Sequence, residues 1–400
     1  MMADVVDLQA WKAKLQSGRQ GPKKSVTNLF LHLQNIKTLG STIRWNELAQ
    51  RAEWNGRPIE DSDIIDIRLT LENEGFDPPL EALLPSIIRH AKDNAFHPVR
   101  DYLRSLKWDG TRRLDYWLEQ CLGAPKSKFN RLAGRKTLIA AVARAFKPGC
   151  KVDTVLVLEG DQGIKKSSSI ETLFGEDWTA GSVNLFDQHN KMVMSMMGAW
   201  VVELAEFTAI TKSGDKGQAA VKGLISTRID RVVLPYAKTL SEHPRQCIFF
   251  GTINPGETGY LTDTTGNRRY WPVEVVKADL DKIKARRDQL WAEAYHAFCS
   301  DERWWLEEDE QSLASVEASK REEYDVWDEI LSKKLDDEMV KSVTAAAALQ
   351  AIGVPNERMG KRELNRVAAC LRRIGFEHND IKKTIDGKRT SVRIFERKDV

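Results

Sequence analysis

Apolar residues change their spacing along this chain, and each change alters what the backbone is expected to do. From residue 26 to about 135 the pattern reads as mainly helical. Leu29, Leu31, Leu33 and Ile36 open it, and Leu80 through Ile88 continue it with apolar positions at helical spacing. Pro98 near a helix start and Gly110 past its end are sensible boundaries within this region. Residues 1–25 end in Ser17-Gly-Arg-Gln-Gly-Pro-Lys-Lys and read as a flexible lead-in.

The character changes after a helix that stops at Pro148-Gly149. Thr154-Val-Leu-Val-Leu158 is short, continuous and apolar, as expected of a strand buried on both faces in a parallel sheet. Trp200-Val-Val-Glu-Leu204 and Cys247-Ile-Phe-Phe-Gly-Thr252 are further strands, with helices between them and another from Leu280 to Phe298. Strands alternating with helices predict an α/β layer with right-handed crossovers over residues 136–305. Residues 306–340 are acidic and predict a helical connector. Residues 341–400 predict two helices, Ser342–Ile352 and Lys361–Ile374, then a hairpin turning at Asp386-Gly387, the order of a winged-helix-like unit.

Composition narrows the class. Hydrophobic residues at 42% and charged residues at 30% are those of a globular chain, and a net charge of +3 confines any anion-binding surface to local patches. Five dispersed cysteines without a Cys-x-x-Cys pair argue against a zinc site or a disulfide framework. No apolar run approaches the roughly 20 residues of a membrane span, so a cytoplasmic protein without a membrane partner is expected.

Gly160-Asp-Gln-Gly-Ile-Lys-Lys-Ser167 lies between an apolar strand and a helix. A triphosphate cradle needs small residues that let backbone N–H groups turn inward, a helix N-terminus, a lysine, and a hydroxyl for Mg²⁺. Gly160, Gln162, Gly163 and Lys165 are the expected loop. Lys166 is expected on the β- and γ-phosphates of ATP and Ser167 on Mg²⁺, with Ser168 beside it. The position before the lysine is usually glycine, and Lys165 there costs about 1–2 kcal/mol if the backbone must be left-handed. Otherwise it only adds positive charge near the phosphates.

ATP hydrolysis also needs a carboxylate at the end of a neighbouring strand. Glu203 is expected in the metal shell and Glu206 on the attacking water, though the two could exchange roles. Asn254 ends the next strand and could orient that water. Arg268 and Arg269 sit together on a turn, where one guanidinium supplied to a neighbouring subunit would stabilise the transferring phosphoryl group. An arginine packed on Tyr270 or Trp271 is the plainer alternative.

Leu158-Glu-Gly-Asp-Gln-Gly-Ile-Lys-Lys-Ser167, Trp200-Val-Val-Glu-Leu-Ala-Glu206, Pro244-Arg-Gln-Cys247 and Gly266-Asn-Arg-Arg-Tyr-Trp-Pro-Val273 together resemble the virulence-associated E (VapE) family. Phe96-His-Pro-Val-Arg-Asp-Tyr-Leu103, Trp108-Asp-Gly-Thr-Arg-Arg-Leu-Asp115 and Pro148-Gly-Cys-Lys-Val-Asp153 extend the resemblance, which covers about residues 90–306. The family is carried by prophages and pathogenicity islands and is similar to superfamily 3 helicases of the AAA+ class. The resemblance implies a P-loop AAA+-like ATPase core, a hexameric ring, and a role in replicating a mobile element; a primase or replisome component is a further candidate partner, for which residues 1–90 could be a docking surface if they are not a ring-closing collar or a remnant of a longer replication protein. It also implies that a hairpin ahead of the Asn254 strand reaches into the ring's pore, where Arg231, Tyr236 and Lys238 would meet single-stranded DNA. In the C-terminal unit, Lys361, Arg362, Arg366, Arg372 and Arg373 on the second helix and Lys382, Lys383, Lys388 and Arg389 on the wing form a local basic excess suited to duplex phosphates. Two other functions fit parts of this pattern. One is a DNA-binding initiator or regulator whose ATP site only switches oligomerisation; the other is a small-molecule P-loop kinase, which needs neither the arginine pair nor the basic tail.

Overall fold

The computed structural model describes residues 10–19, 21–181, 183, 187–205, 214–233, 239–254, 261, 267–321, 325–385 and 388–397. A short antiparallel pair, β1 (Ser17–Gly18) and β2 (Gly21–Pro22), precedes the helix Val26–Asn35, whose N-terminus is capped by the Ser25 hydroxyl accepting from the Asn28 amide. Residues 26–135 are not wholly helical. They contain the antiparallel strands β3 (Ile43–Asn46), β4 (Arg51–Trp54) and β5 (Arg57–Pro58). The turn between β4 and β5 is Asn55–Gly56, with φ of 53° and 80°. This is the dipeptide that tolerates the doubly left-handed turn of a tight hairpin. Helices Asp61–Asn73 and Leu80–Asp93 close over this meander, burying Leu29, Leu33, Ile43, Ile67, Leu71 and Ile87 in a core of their own.

The centre is a five-stranded parallel sheet made of β6 (Val155–Glu159), β7 (Thr179–Ala180), β8 (Val201–Leu204), β11 (Ile248–Ile253) and β12 (Tyr270–Glu274), in the order β12-β6-β11-β8-β7. An antiparallel hairpin of β9 (Ile229–Val232) and β10 (Ser241–Pro244) stands ahead of β11. Every residue of β6, β8 and β11 is buried, because helices cover both faces. Successive side chains go to opposite layers: Leu156, Leu158 and Phe250 join one core, Val155, Val157 and Phe249 the other. The first layer is covered by helices Lys128–Phe146, Lys166–Phe174 and Leu280–Cys299. Trp200 and Trp291 pack there with ring centroids 4.2 Å apart. Their indole N–H groups donate to Ala141 O at 2.9 Å and Leu173 O at 2.8 Å, tying helix to sheet.

Residues 306–340 do not act as one connector. Helix Glu308–Ser319 lies on the edge of the sheet, where the small side chains of Ala314 and Ala318 let it sink into the two central cores. Helix Val326–Asp337 instead sends Leu331 and Leu335, one turn apart, into the C-terminal core. That core is completed by helices Ala345–Ala351 and Lys361–Arg373 and an antiparallel sheet of β13 (Ser342–Val343), β14 (Phe376–Ile385) and β15 (Lys388–Arg397). β14 and β15 pair from Phe376 opposite Arg397 to Ile385 opposite Lys388. The expected turn at Asp386-Gly387 lies outside the described residues. Among the described residues no helix is long and apolar enough to cross a membrane.

Candidate functional site

β6 ends at Glu159 and the chain turns sharply before helix Lys166–Phe174. Gly160 is required by close approach: a Cβ there would run into the Val275 carbonyl oxygen and the Ile164 side chain. Gly163 supplies a left-handed residue at φ 86°. Lys165, at φ 66° and ψ 37°, is left-handed as well, although it carries a side chain. The conditional cost of a lysine at this position therefore applies, at about 1–2 kcal/mol.

Lys166 is folded inward and buried. Its ammonium donates to the Gly160 carbonyl at 2.6 Å, the Asp161 carbonyl at 2.8 Å and Asn254 Oδ1 at 2.8 Å. Burial holds its pKa below the ordinary lysine value, against the pull of Asp161 and Glu203. Ser167 is exposed and donates its hydroxyl to Glu203 Oε1 at 2.7 Å. The same oxygen accepts from Thr252 Oγ1 at 2.6 Å. Parallel register explains the meeting: Thr252 is near the end of β11 and Asn254 directly follows it, Glu203 is on its neighbour β8, and the turn follows β6 on the other side. Lys166, Ser167, Glu203 and Asn254 are thus brought together as their motifs predict. Thr252 was not foreseen; its one sign is a hydroxyl inside an otherwise apolar strand. Gln162 and Lys165 are exposed on the turn and Ser168 is half-buried behind it. Glu206 lies outside the described residues.

Among the described residues no three His, Cys, Asp or Glu side chains gather into a metal cluster. A hydroxyl beside one carboxylate is instead the sparse protein contribution that suits Mg²⁺, which keeps waters and takes phosphate oxygens.

Arg268 and Arg269 fall elsewhere. They lie on the short 3-10 turn that leads into β12, whose Tyr270 is level with Val155, the first residue of β6. The length of a five-residue strand, about 16 Å, separates them from the turn at Gly160. Arg268 is exposed, while the Nε of half-buried Arg269 has no partner among the described residues. Burial pushes the Tyr270 hydroxyl up to about 12, against the pull of the neighbouring Arg269 guanidinium. Both arginines line a cavity of about 360 Å³ with Lys151, Asp153, Trp304 and Trp305.

The β9–β10 hairpin is anchored by a buried ion pair, Arg245 to Asp230 at 2.9 and 2.5 Å. Arg231 is exposed and pairs across the hairpin with Glu242 at 2.8 Å. Tyr236 and Lys238 lie outside the described residues. On helix Lys361–Arg373, Lys361 and Arg362 are exposed, but Arg366 is engaged. It binds Asp325 through Nε and Nη2 at 2.7 and 2.8 Å and lies 3.9 Å over the Trp327 ring. Arg373 likewise grips Asp328 at 2.8 and 3.0 Å. Arg366 and Arg373, counted from the sequence in a basic excess suited to duplex phosphates, thus tie this helix to the start of the Val326–Asp337 helix. Lys388 and Arg389 begin β15.

The Virulence-associated protein E-like domain matches residues 103–324, more than half of the 400-residue chain. The chain belongs to that family. Among solved structures it is similar to the apo structure of the NrS-1 C-terminal region, at 14% identity and a TM-score of 0.48, covering 89% of this chain and 96% of that one. An A-form apo structure of the same region aligns at 13% identity and a TM-score of 0.49, covering 92% and 100%. No curated protein matches the chain.

Proposed function

We propose that this chain is a P-loop ATPase of the AAA+-like class that works as a ring of identical subunits, a hexamer by family resemblance, and translocates on or unwinds DNA during replication of a phage or mobile element in the cytoplasm. One observation carries the reading. A buried lysine, a helix-start hydroxyl, a carboxylate and an amide from three adjacent strand ends converge on one turn. Lys166 would exchange the Gly160 and Asp161 carbonyls for the β- and γ-phosphates of ATP. Ser167 and Glu203 would hold Mg²⁺, which neutralises developing charge on the phosphates. Thr252 fixes the Glu203 carboxylate in place, Asn254 orients the attacking water, and Glu206 takes its proton. Arg268 or Arg269 serves the site of a neighbouring subunit, since neither reaches its own turn.

On the same reading, residues 1–25 lead in, 26–135 form an N-terminal region, 136–305 the ATPase core, and 341–400 a winged-helix-like unit that contacts duplex DNA through Lys361, Arg362, Lys388 and Arg389. Arg231, Tyr236 and Lys238 on the pore hairpin contact single-stranded DNA, and a primase or other replisome component is a further partner.

A second reading, an ATP-switched replication initiator or regulator without unwinding activity, draws on Lys165. A strained, charged residue in the loop suits a site that binds nucleotide more readily than it turns it over.

Measuring ATP hydrolysis with and without single-stranded DNA, beside mass in solution, separates the two. The motor predicts turnover that DNA stimulates, a ring-sized assembly, and loss of turnover in Lys166→Ala with circular dichroism unchanged. Normal hydrolysis by Lys166→Ala would refute the site, and binding without turnover would favour the switch.

A further inference from the structure

Helix Glu308–Ser319 touches both ends of the sheet. At its start, Leu306, Gln311 and Ala314 line the cavity that holds Arg268 and Arg269. Just past its end, Arg321 forks onto the buried carboxylate of Glu159, the last residue of β6 before the phosphate turn, at 2.8 to 3.0 Å. The third guanidinium nitrogen of Arg321 binds Glu317 at 2.7 Å, and its carbonyl accepts from the Leu261 amide at 3.0 Å. Leu261 belongs to the segment joining Asn254 to the arginines. Twelve helical residues span about 18 Å, which matches the depth of a five-residue strand, about 16 Å.

We infer that this helix is a strut and Arg321 its positioning residue: nucleotide on a subunit's own turn shifts Glu159, and the strut thereby sets the arginines that the subunit presents to its neighbour. The inference rests on the nucleotide reading above. A buried carboxylate at a strand end needs a partner for stability alone, so the test must read coupling between subunits rather than folding.

Rings are assembled from wild-type subunits doped with increasing fractions of Lys166→Ala, and ATP turnover is followed. The dopant carries intact arginines but an empty turn. With a working strut, turnover falls more steeply than the wild-type fraction, because each empty subunit also withholds its arginines from a neighbour. The same titration in an Arg321→Lys background, which keeps the charge but loses the planar fork, falls in proportion to the competent fraction. Glu159→Gln is a second variant with the same expectation, should Arg321→Lys fold poorly. Identical curves in the parent and variant backgrounds overturn the strut, as does a proportional decline in the parent. Absence of any Lys166-dependent turnover overturns the nucleotide reading itself, and the strut with it.

Discussion

The turn from Gly160 to Lys166 and the C-terminal helix Lys361–Arg373 both carry cations, yet the structure treats those cations in opposite ways. At the turn, the partners of Lys166 among the described residues are neutral acceptors, two carbonyls and an amide oxygen. Its charge is therefore uncompensated at contact, and an incoming anion competes with weak partners. On the C-terminal helix, Arg366 and Arg373 are already matched by the carboxylates of Asp325 and Asp328. A count of lysines and arginines weighs these positions equally. What decides availability is whether a carboxylate has arrived first.

The contrast can be broken most severely at Arg268 and Arg269, which belong with Lys166 as cations without a carboxylate among the described residues. Replacing the acting arginine by alanine is expected to lower kcat by about 10³-fold, with the other replacement far milder. Mixing the impaired variant with Lys166→Ala/Arg321→Lys subunits, whose arginines no longer depend on their own turn, should restore part of the turnover, because one supplies the turn and the other the arginine. Absence of recovery would place the arginines outside the neighbour's site.

The C-terminal helix offers a smaller effect. The double variant Lys361→Ala/Arg362→Ala is expected to weaken duplex DNA binding on the order of tenfold and to flatten the salt dependence by about one unit of slope per lost phosphate contact. Arg366→Ala should leave affinity nearly unchanged. It should instead lower the denaturant midpoint of the C-terminal unit by an amount equivalent to about 1 kcal/mol, since the ion pair is half exposed and its cation also covers Trp327. If Arg366→Ala proves the more damaging for DNA, the distinction between spent and available cations fails.

The smallest effect is expected at Lys165. Glycine relieves the left-handed strain but enlarges the freedom of the unfolded chain, so Lys165→Gly should stabilise the central domain by no more than about 1 kcal/mol. A chemical denaturation curve monitored at the buried tryptophans would read it. Lower stability in the variant would mean that the lysine side chain contributes something its geometry does not reveal.

Much of the central sheet was legible because burial on both faces demands continuous apolar runs. Val155–Glu159, Val201–Leu204 and Ile248–Ile253 could hardly be anything else. The turn and Asn254 were legible because each follows such a run, and Glu203 because it is the charged residue within one. β12 was read as an arginine-bearing turn, since Pro272 within Tyr270–Glu274 hides a strand; an edge position leaves that proline without a ladder bond to break. The β3–β5 meander was overlooked although Asn55–Gly56 announces it. Its strands are too short for an alternating pattern to stand out from flanking helices. Glu159 and Arg321 were beyond reach for another reason. They lie 162 residues apart in sequence, and nothing local to either signals the other.

The orientation of the arginine pair has a consequence for how such a protein would behave in a cell. The turn and the guanidinium groups stand at opposite ends of the sheet, so on the proposed trans-arginine reading a solitary chain would be half of two different catalytic centres and the whole of none. Specific activity would then rise with concentration, and dilution would silence the protein without unfolding it. A few early copies would lie idle, and a threshold of expression, rather than a dedicated inhibitor, would determine when work begins.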